Sequence, residues 1–265
     1  MPKANYIWSP NKHDGRLAPI RVIVIHTGET PEGATAAEGM GNWFARTSTR
    51  ASAHKCVDPD SVVRCVADED TAWAAPGANA DGLQLELAGR AGQTTGDWAD
   101  ITSQRILGNA AAEVATWCRQ HDIPARWLTD AQLADGRTKG LTTHAQVSRV
   151  FKLSTHWDPG HNFPSSLFLS EVRAHLSTPA PAPAPTKAAT FPGTVRLGSQ
   201  GAAVKTWQRA LNRYGLRVGK FHGYQLTVDG NFGPRTEDAV DDAQRRGHLR
   251  RDKVAGRLTW AVITK

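Results

Sequence analysis

The sequence predicts an α/β protein with a central mixed β-sheet flanked by helices, followed by a small C-terminal unit of three helices. Three observations support this fold class. A short β-branched run, RVIVIH (21–26), is typical of a buried strand. Residues 102–122 carry apolar side chains at helical spacing. The alternating Ala/Pro segment TPAPAPAPTKAAT (178–190) separates two pieces of the chain, because it favours an extended spacer over a helix or strand.

The first piece alternates predicted strands with predicted helices, which is the pattern of an α/β layer fold. In its first helix, Trp43 and Phe44 are expected on the apolar face. LQLELAG (83–89) alternates like a half-buried strand, and the stretch between 122 and 164 is rich in loop-forming residues. The other predicted elements are a helix at 35–47, a hairpin at 53–66, the long helix at 102–122 and a closing helix at 164–176.

The second piece has the pattern of a small helical unit. Helical spacing of apolar residues occurs at 201–214 and again at 234–246. The pattern at 229–236 recurs at 252–259, and each copy is expected to form a turn that leads into a helix. A unit of three helices is the natural result. The predicted division of the chain is a larger domain at 1–177, a linker at 178–191 and a smaller domain at 192–265.

Positive charge is concentrated in the smaller domain. Residues 192–265 carry fourteen Lys or Arg and six Asp or Glu residues, whereas residues 1–185 carry seventeen and nineteen. A basic unit attached to a nearly neutral body indicates contact with a polyanion, and nucleic acid, a membrane surface and an anionic cell wall all meet that condition. Nucleic acid is not expected as a partner, because the basic unit lacks an aromatic stacking stripe or a binding motif.

Other features of the sequence exclude some classes of protein. No apolar run approaches about 18 residues, so membrane insertion is not expected. The start, MPKANYIWSP, lacks the apolar core of a signal peptide and predicts no secretory route. Cys56, Cys65 and Cys118 form an odd set without CxxC spacing, which predicts buried free thiols in a reducing compartment.

Histidines and one aspartate form a candidate metal site. His26 ends the predicted strand RVIVIH, and a strand end is a rigid mount for a ligand. The segment THAQVSRVFKLSTHWDPGHNFP contains His144, His156, Asp158 and His161. A catalytic zinc site needs three protein ligands and one open position. From the residues alone, a metal site and a polar loop explain the 144–161 cluster equally well.

Five segments, in order along residues 18–170, resemble the N-acetylmuramoyl-L-alanine amidase family, the zinc amidases related to phage lysozyme-amidases and peptidoglycan recognition proteins. Each segment alone is a weak match, whereas the ordered set is specific. They are VIVIHTG, SAHKCVDPDSVVRCV, DTAWAAPGANADGLQLELAG, THAQVS and HWDPGHNFP. In the second piece, RLGSQGAAVKTWQRALNRYG and VDGNFGPRTEDAV resemble the three-helix peptidoglycan-binding domain of wall hydrolases.

The resemblance implies a zinc site in a surface groove, with His26, His144 and Asp158 as the ligands of Zn²⁺. It makes Glu86 the general base that passes a proton to the leaving amine. His156 stands where relatives carry Lys, and it is expected to stabilise the oxyanion. The presence of His in place of Lys at this position leaves a second assignment open, in which His156 binds zinc in place of His144. The motif THAQVS favours His144.

Two further sets of residues are weaker candidates. His54 and His161 are expected to line the groove without binding metal. In the second piece, Asp229, Asn231 and Arg235 lie near the turn that most resembles the peptidoglycan-binding domain, and they are candidates for wall binding.

The function implied by the resemblance is zinc-dependent hydrolysis of the amide between N-acetylmuramic acid and L-alanine in bacterial peptidoglycan, which lyses the cell wall. The expected form is a monomeric phage endolysin, held in the host cytoplasm until release. Two alternatives remain open: a non-catalytic peptidoglycan recognition protein, and a zinc peptidase that cuts the stem peptide.

Overall fold

A computed structural model describes residues 3–177, 190–217, 226–247 and 249–264. The chain divides into two compact units, Met1–Pro181 and Ala182–Lys265. The predicted Ala/Pro spacer lies almost entirely outside the described residues, so its extended form remains a prediction. Within the described ranges, no helix combines the length and the apolar character needed to cross a bilayer.

The first unit is built on a six-stranded mixed sheet with the order β1-β5-β4-β7-β3-β8. β4 and β5 pair antiparallel, and the other neighbours pair parallel. β2 and β6 form a separate antiparallel pair. The strands are β1 (Lys3–Tyr6), β2 (Lys12–His13), β3 (Val22–Thr27), β4 (Lys55–Val57), β5 (Ser61–Arg64), β6 (Thr71–Ala72), β7 (Gly82–Leu87) and β8 (Gly140–Thr143).

Helices cover the sheet and complete the α/β architecture that the sequence predicts. The longest, α3, begins at the N-cap Asp100, whose carboxylate accepts a hydrogen bond from the Ser103 N–H, and it ends at Asp122 in the left-handed conformation. Its apolar stripe packs against the sheet in the main core. The helices are α1 (Ala36–Phe44), α2 (Thr95–Trp98), α3 (Ile101–His121), α4 (Asp130–Ala134), α5 (His144–Phe151) and α6 (Ser165–Ser177), with a 3₁₀ turn at Thr47–Thr49.

Two local predictions for this unit are wrong, and a third is incomplete. Phe44 is buried as predicted, but Trp43 is 49% exposed. β7 is buried along its whole length, not on one face only, because it lies inside the sheet between β4 and β3. The stretch between 122 and 164, which the sequence indicated to be rich in loops, also contains the short elements α4, β8 and α5. The three thiols are confirmed as free and buried.

The second unit contains three helices in its described residues, as predicted: α7 (Ala202–Arg217), α8 (Pro234–Arg246) and α9 (Arg257–Ile263). Their apolar faces meet in a separate core. Trp207 and Trp260 pack edge-to-face at its centre, with ring centroids 4.8 Å apart.

The sequence repeat in this unit is also a repeat of hydrogen bonds. The Gln208 amide donates to the Asp229 carboxylate at 2.8 Å and accepts from the Gly230 N–H at 2.9 Å. Gln244 makes the corresponding bonds, donating to the Asp252 carboxylate at 2.7 Å and accepting from the Lys253 N–H at 2.9 Å. A buried glutamine therefore holds each turn. Gly230 and Lys253 both have positive φ, 85° and 60°, so the second copy keeps a conformation that suits glycine better.

His54 is a fully buried histidine beside β4. Its Nδ1 accepts a hydrogen bond from the Gln84 N–H at 2.9 Å, so the neutral ring carries its proton on Nε2, which faces the Asp70 carbonyl at 3.3 Å. Burial lowers the pKa of His54 to about 4, and the charge of Arg16 acts in the same direction while Asp68 opposes it. The expectation that His54 lines a surface groove is therefore wrong.

The titration of His54 predicts a pH dependence of stability. Because its pKa is below the ordinary value of 6.5, the folded protein binds fewer protons than the unfolded chain between about pH 4 and 6.5, and stability falls as the pH drops through that window. Through His54, the free energy of unfolding falls by ~2 kcal/mol between pH 7 and pH 5. In urea unfolding, the free energy of unfolding of His54→Gln is expected to fall by ~2 kcal/mol less than that of wild type between pH 7 and pH 5.

Comparing wild type with His54→Gln separates the effect of His54 on stability from the opposing effect of Glu86. Burial raises the pKa of Glu86 to about 7, which acts with the opposite sign between about pH 4.5 and 7 in wild type and variant alike. An identical pH dependence of the two proteins would contradict the assignment of a neutral, buried His54.

Candidate metal centre

The site is positioned by the parallel pairing of three strands. β3 pairs with β7 and β8, and the carboxyl ends of parallel strands meet at the same edge of the sheet. His26 on β3 pairs in register with Glu86 on β7, and Ile25 pairs with Thr143 on β8. His144 directly follows Thr143. Two strands separated by more than a hundred residues of sequence therefore deliver His26 and His144 to the same place.

The structure brings His26, His144 and Asp158 together, each buried, with one donor atom of each within 4.8 Å of the others. The Nδ1 atoms of the two histidines are 3.1 Å apart. The Asp158 carboxylate lies 3.3 Å from Nδ1 of His26 and 3.2 Å from Nδ1 of His144. These are the three residues that the sequence nominated as metal ligands.

The donor set fits zinc. Two imidazole nitrogens and one carboxylate oxygen are ligands that Zn²⁺ accepts, and donor separations near 3.2 Å agree with the ~3.3 Å edge of a tetrahedron that has ~2.0 Å bonds. The pocket also favours positive charge. Burial disfavours the imidazolium of His26, but Glu86 and Asp158 outweigh this effect and raise its pKa to about 9. Burial opposes ionisation of Asp158 too, yet hydrogen bonds with His144 and His26 lower its pKa.

Gln84 orients His26, and sequence reasoning missed it. The Gln84 side chain is fully buried on β7, two residues before Glu86 and so on the same face. Its amide nitrogen donates to the Ala78 carbonyl at 2.9 Å, which leaves its oxygen 2.9 Å from Nε2 of His26. His26 therefore donates from Nε2, and Nδ1 is the nitrogen that faces the site and would bind a metal. The only signal in the sequence was a polar residue inside an apolar strand.

His144 and Asp158 are held by the elements that follow β8. His144 is the first residue of α5, and Nε2 of its ring lies 3.4 Å from the Ser154 hydroxyl. The Ala145 N–H donates to the Asp158 carbonyl at 2.9 Å, which ties the helix start to the second ligand segment. Gly160, with φ of 93°, packs so closely on Ala91 that a Cβ would lie 1.9 Å from its carbonyl oxygen. Only glycine fits that turn.

Glu86 lies beside the three candidate ligands. One carboxylate oxygen is 4.0 Å from Nδ1 of His26, and the other is buried without a hydrogen-bond partner among the described residues. Burial raises the pKa of Glu86 to about 7; His26 opposes this shift, while Asp158 and Glu29 add to it. An unpaired buried carboxylate with a pKa near neutrality is a feature of functional sites.

His156 lies at the rim and not in the cluster of donors. Its side chain is 67% exposed, and its ring stacks on that of His144 with centroids 4.5 Å apart and planes 9° from parallel. Its Nδ1 is 3.6 Å from the Asp158 carboxylate. His161 is exposed nearby, 5.8 Å from the ring of Trp157. This geometry favours His144 over His156 as the third ligand and leaves His156 free to reach a bound molecule.

The second unit has a cavity of about 210 Å³ at its first repeated turn. The three residues nominated from the sequence for wall binding, Asp229, Asn231 and Arg235, line it. One oxygen of Asp229 already accepts bonds from Gln208 and from the Asn231 N–H, so this carboxylate also supports the turn.

Comparison with known families gives two matches. The family described as N-acetylmuramoyl-L-alanine amidase matches residues 16–161, more than half of the chain. The family described as a putative peptidoglycan binding domain matches residues 200–263.

Individual relatives and solved structures are also similar to parts of this chain. The zinc D-Ala-D-Ala carboxypeptidase of Streptomyces albus G is 38% identical over 76 residues, which span 28% of this chain and 27% of that protein. The Staphylococcus aureus hydrolase AmiA, solved with its ligand, has a TM-score of 0.50 at 19% identity, covering 68% of this chain and 88% of AmiA. PlyL has a TM-score of 0.47 at 16% identity, covering 65% of this chain and 96% of PlyL. At such identities the likeness to AmiA shows a shared fold.

The geometry predicts different metal contents for two histidine variants. His144→Ala removes one of the three clustered donors, so we expect it to lose the zinc that wild type retains after dialysis, about one ion per chain. His156→Ala is expected to retain that zinc. Elemental analysis of both variants, with circular dichroism to verify folding, makes the measurement. The reverse result, zinc lost only in His156→Ala, would establish the exchanged assignment.

The contact between Gln84 and His26 predicts an effect on metal affinity. Gln84→Met keeps the side-chain volume but removes the acceptor for Nε2 of His26, so zinc affinity is expected to fall ~10–100-fold in a chelator competition assay. Gln146→Met is the matched control, because Gln146 is also buried and hydrogen-bonded but bonds to Thr142 and not to a candidate ligand. Equal affinities in wild type and Gln84→Met would show that the contact does not orient His26.

Proposed function

The chain belongs to the N-acetylmuramoyl-L-alanine amidase family, and on that premise we propose that it hydrolyses the amide between N-acetylmuramic acid and L-alanine in bacterial peptidoglycan. One observation carries the proposal: three buried donors, His26, His144 and Asp158, converge beside Glu86, which has an unpartnered carboxylate oxygen. A hydrolase of an unactivated amide needs an electrophile and a proton carrier next to each other, and this arrangement can supply both.

We propose Zn²⁺ as the cofactor, held by His26, His144 and Asp158. When bound, the ion supplies Lewis acidity, which polarises the scissile carbonyl and lowers the pKa of water at the site. The name of the Streptomyces relative, a zinc carboxypeptidase, agrees with this choice of metal. Gln84 and the start of α5 hold the two imidazoles in place before any substrate arrives.

Glu86 is the proposed proton carrier. As a carboxylate it accepts a proton from the attacking water, and as a carboxylic acid it returns that proton to the nitrogen of the departing L-alanine. A group with a pKa of about 7 performs both steps near neutral pH, since neither form is strongly favoured. The second oxygen of Glu86 has no competing hydrogen bond to break before it acts, because none of the described residues bonds to it.

His156 is the proposed partner of the developing oxyanion. Its exposed ring lies at the mouth of the site, stacked on His144, and an imidazole N–H directed at the carbonyl oxygen would stabilise negative charge there. Trp157, half exposed next to Asp158, offers an aromatic face at the same rim. We propose that this rim receives the sugar side of the substrate.

The second unit is proposed to bind the wall. Its peptidoglycan-binding family match and its cavity at Asp229 support this role. A tether between the units would keep the catalytic unit at high effective concentration near its substrate. We further propose that the protein acts as a phage endolysin, because a wall amidase joined to a wall-binding unit has the composition of a lytic enzyme.

Digestion of purified peptidoglycan tests the proposal. With zinc supplied, wild type is expected to release new lactyl carboxylates on muramic acid together with free amino termini of L-alanine, detected by mass spectrometry. Glu86→Gln is expected to lower kcat ~10²–10⁴-fold while zinc content and wall binding stay unchanged. Glu171→Gln on α6 is the matched control, because Glu171 also has a buried unpartnered oxygen and a pKa raised by burial. It should leave kcat unchanged.

The other outcomes identify the alternatives. New termini only within the stem peptide would make the protein a zinc peptidase. Wall binding without any released product would make it a recognition protein. Full activity of Glu86→Gln would refute the assignment of the proton carrier alone.

A further inference from the structure

The net positive charge of the second unit is not spread evenly over its helices. Lys205, Arg209 and Arg213 on α7 are all exposed, and they are spaced four residues apart. Residues four apart on an α-helix lie on one face, ~6 Å from each other along the axis. These three residues therefore form a straight row of positive charge, which we call the α7 row.

The α7 row lacks acidic neighbours. Residues 202–217 contain no Asp or Glu. Within the part of the chain that the structure describes, no carboxylate lies within 4.0 Å of the three cationic groups. The charge of the row is therefore available to a partner.

The neighbouring helix shows the opposite arrangement. α8 contains Glu237, Asp238, Asp241 and Asp242. Cations around it are neutralised by ion pairs, which join Arg245 and Arg246 to Asp242, Arg251 to Asp241 and Lys253 to Glu237. The unit thus has a self-neutralised face and an uncompensated one, although both belong to the same small core.

The charges of the α7 row do not stabilise the helix. Like charges four residues apart on a helix repel each other and weaken it slightly. The helix is held instead by its apolar side, where Trp207 and Leu211 are fully buried and Tyr214 is nearly so. The stem of Lys205 packs over Gly230, but the three charged groups form no ion pair among the described residues, and such an uncompensated row points to a ligand.

We propose that the α7 row binds a linear wall-attached polymer whose repeats are joined by phosphodiesters. Regularly spaced cations on a straight helix match regularly spaced phosphates on an extended chain, and both partners release counterions on binding. The inference rests on the proposed function only in placing the protein at the wall. Binding to phosphate polymer through α7 would add to the recognition of peptidoglycan by the cavity at Asp229.

The structure favours this polymer over nucleic acid. Binding of single-stranded nucleic acid usually adds aromatic rings on which bases stack. The aromatic residues of α7, Trp207 and Tyr214, are buried in the core and present no ring to a base. Among the described residues of α7, the row presents charge without an exposed aromatic ring, which suits a polyol-phosphate chain without bases.

Co-sedimentation on ice with two wall preparations tests the proposal. One is bacterial wall that carries a polyol-phosphate polymer; the other is the same wall after hydrofluoric acid, which cleaves phosphodiesters and leaves peptidoglycan. The full chain is expected to bind the intact wall at least ~10-fold more tightly at low salt. The triple variant Lys205→Gln, Arg209→Gln, Arg213→Gln should lose that advantage and keep its affinity for stripped wall. The affinity for intact wall should decrease less steeply with salt for the triple variant, so that the slope of log affinity against log salt concentration is smaller in magnitude by ~2.

The matched control removes the same charge from the self-neutralised face. Arg245→Gln, Arg251→Gln, Lys253→Gln changes three cations that are about half exposed and ion-paired. It is expected to change binding to intact wall less than the α7 variant does. The α7 variant should melt at or above the wild-type temperature, because repulsion is removed.

Several results would overturn the proposal. Equal binding of wild type to intact and stripped wall would remove the phosphate polymer as a ligand. Equal losses of affinity for intact wall in the α7 variant and the control would show that binding depends on net charge and not on the α7 row. Stronger competition by duplex DNA than by the extracted polymer would assign the row to nucleic acid. Release of products from stripped wall is measured in a separate assay, so a failure of the amidase proposal can be distinguished from a failure of the α7 proposal.

Discussion

The parallel pairing of β3 with β7 on one side and β8 on the other is the constraint on which the candidate site depends. It brings the carboxyl ends of three strands to one edge, in a register that places His26 beside Glu86 and His144. The side-chain period of a strand is two, so a slip of one residue would direct His26 to the opposite face. Complete burial of β3 and β7 opposes such a slip, because it would exchange both faces of a packed core.

Polar groups at this edge are buried, and burial is tolerated where each group has a partner. Gln84 shows this principle twice: its side chain satisfies both Ala78 and His26, and its backbone N–H satisfies His54. Among the described residues, the second oxygen of Glu86 is a buried polar atom that has no such partner. A fold optimised for stability alone would pair or remove that carboxylate, so its persistence is consistent with a chemical role.

In the second unit, the sequence repeat supports the fold, whereas the charged residues are distributed unevenly over its surface. Gln208 and Gln244 hold equivalent turns by equivalent bonds, which explains why one helical unit contains two related turns. The two faces nevertheless differ: among the described residues, α8 is surrounded by ion pairs, whereas the three cations of the α7 row have no carboxylate within 4.0 Å. Duplicated scaffolding with divergent surfaces lets a small unit keep one core while it presents two different surfaces.

The sequence by itself determined the elements with strong local patterns. The strand at Val22–Thr27 follows from its β-branched run, and the long helix Ile101–His121 and the first two helices of the second unit follow from apolar spacing. The third helix of that unit follows from the repeated turn pattern. Motifs resembling the amidase family nominated the metal ligands and Glu86. Only the tertiary structure brought His26, His144 and Asp158 within bonding reach of one ion and left His156 outside that cluster. It also revealed β8, the burial of β7 on both faces, the exposure of Trp43 and the role of Gln84. These features depend on which strands lie side by side, and contacts between residues far apart in sequence leave no periodic signal along the chain.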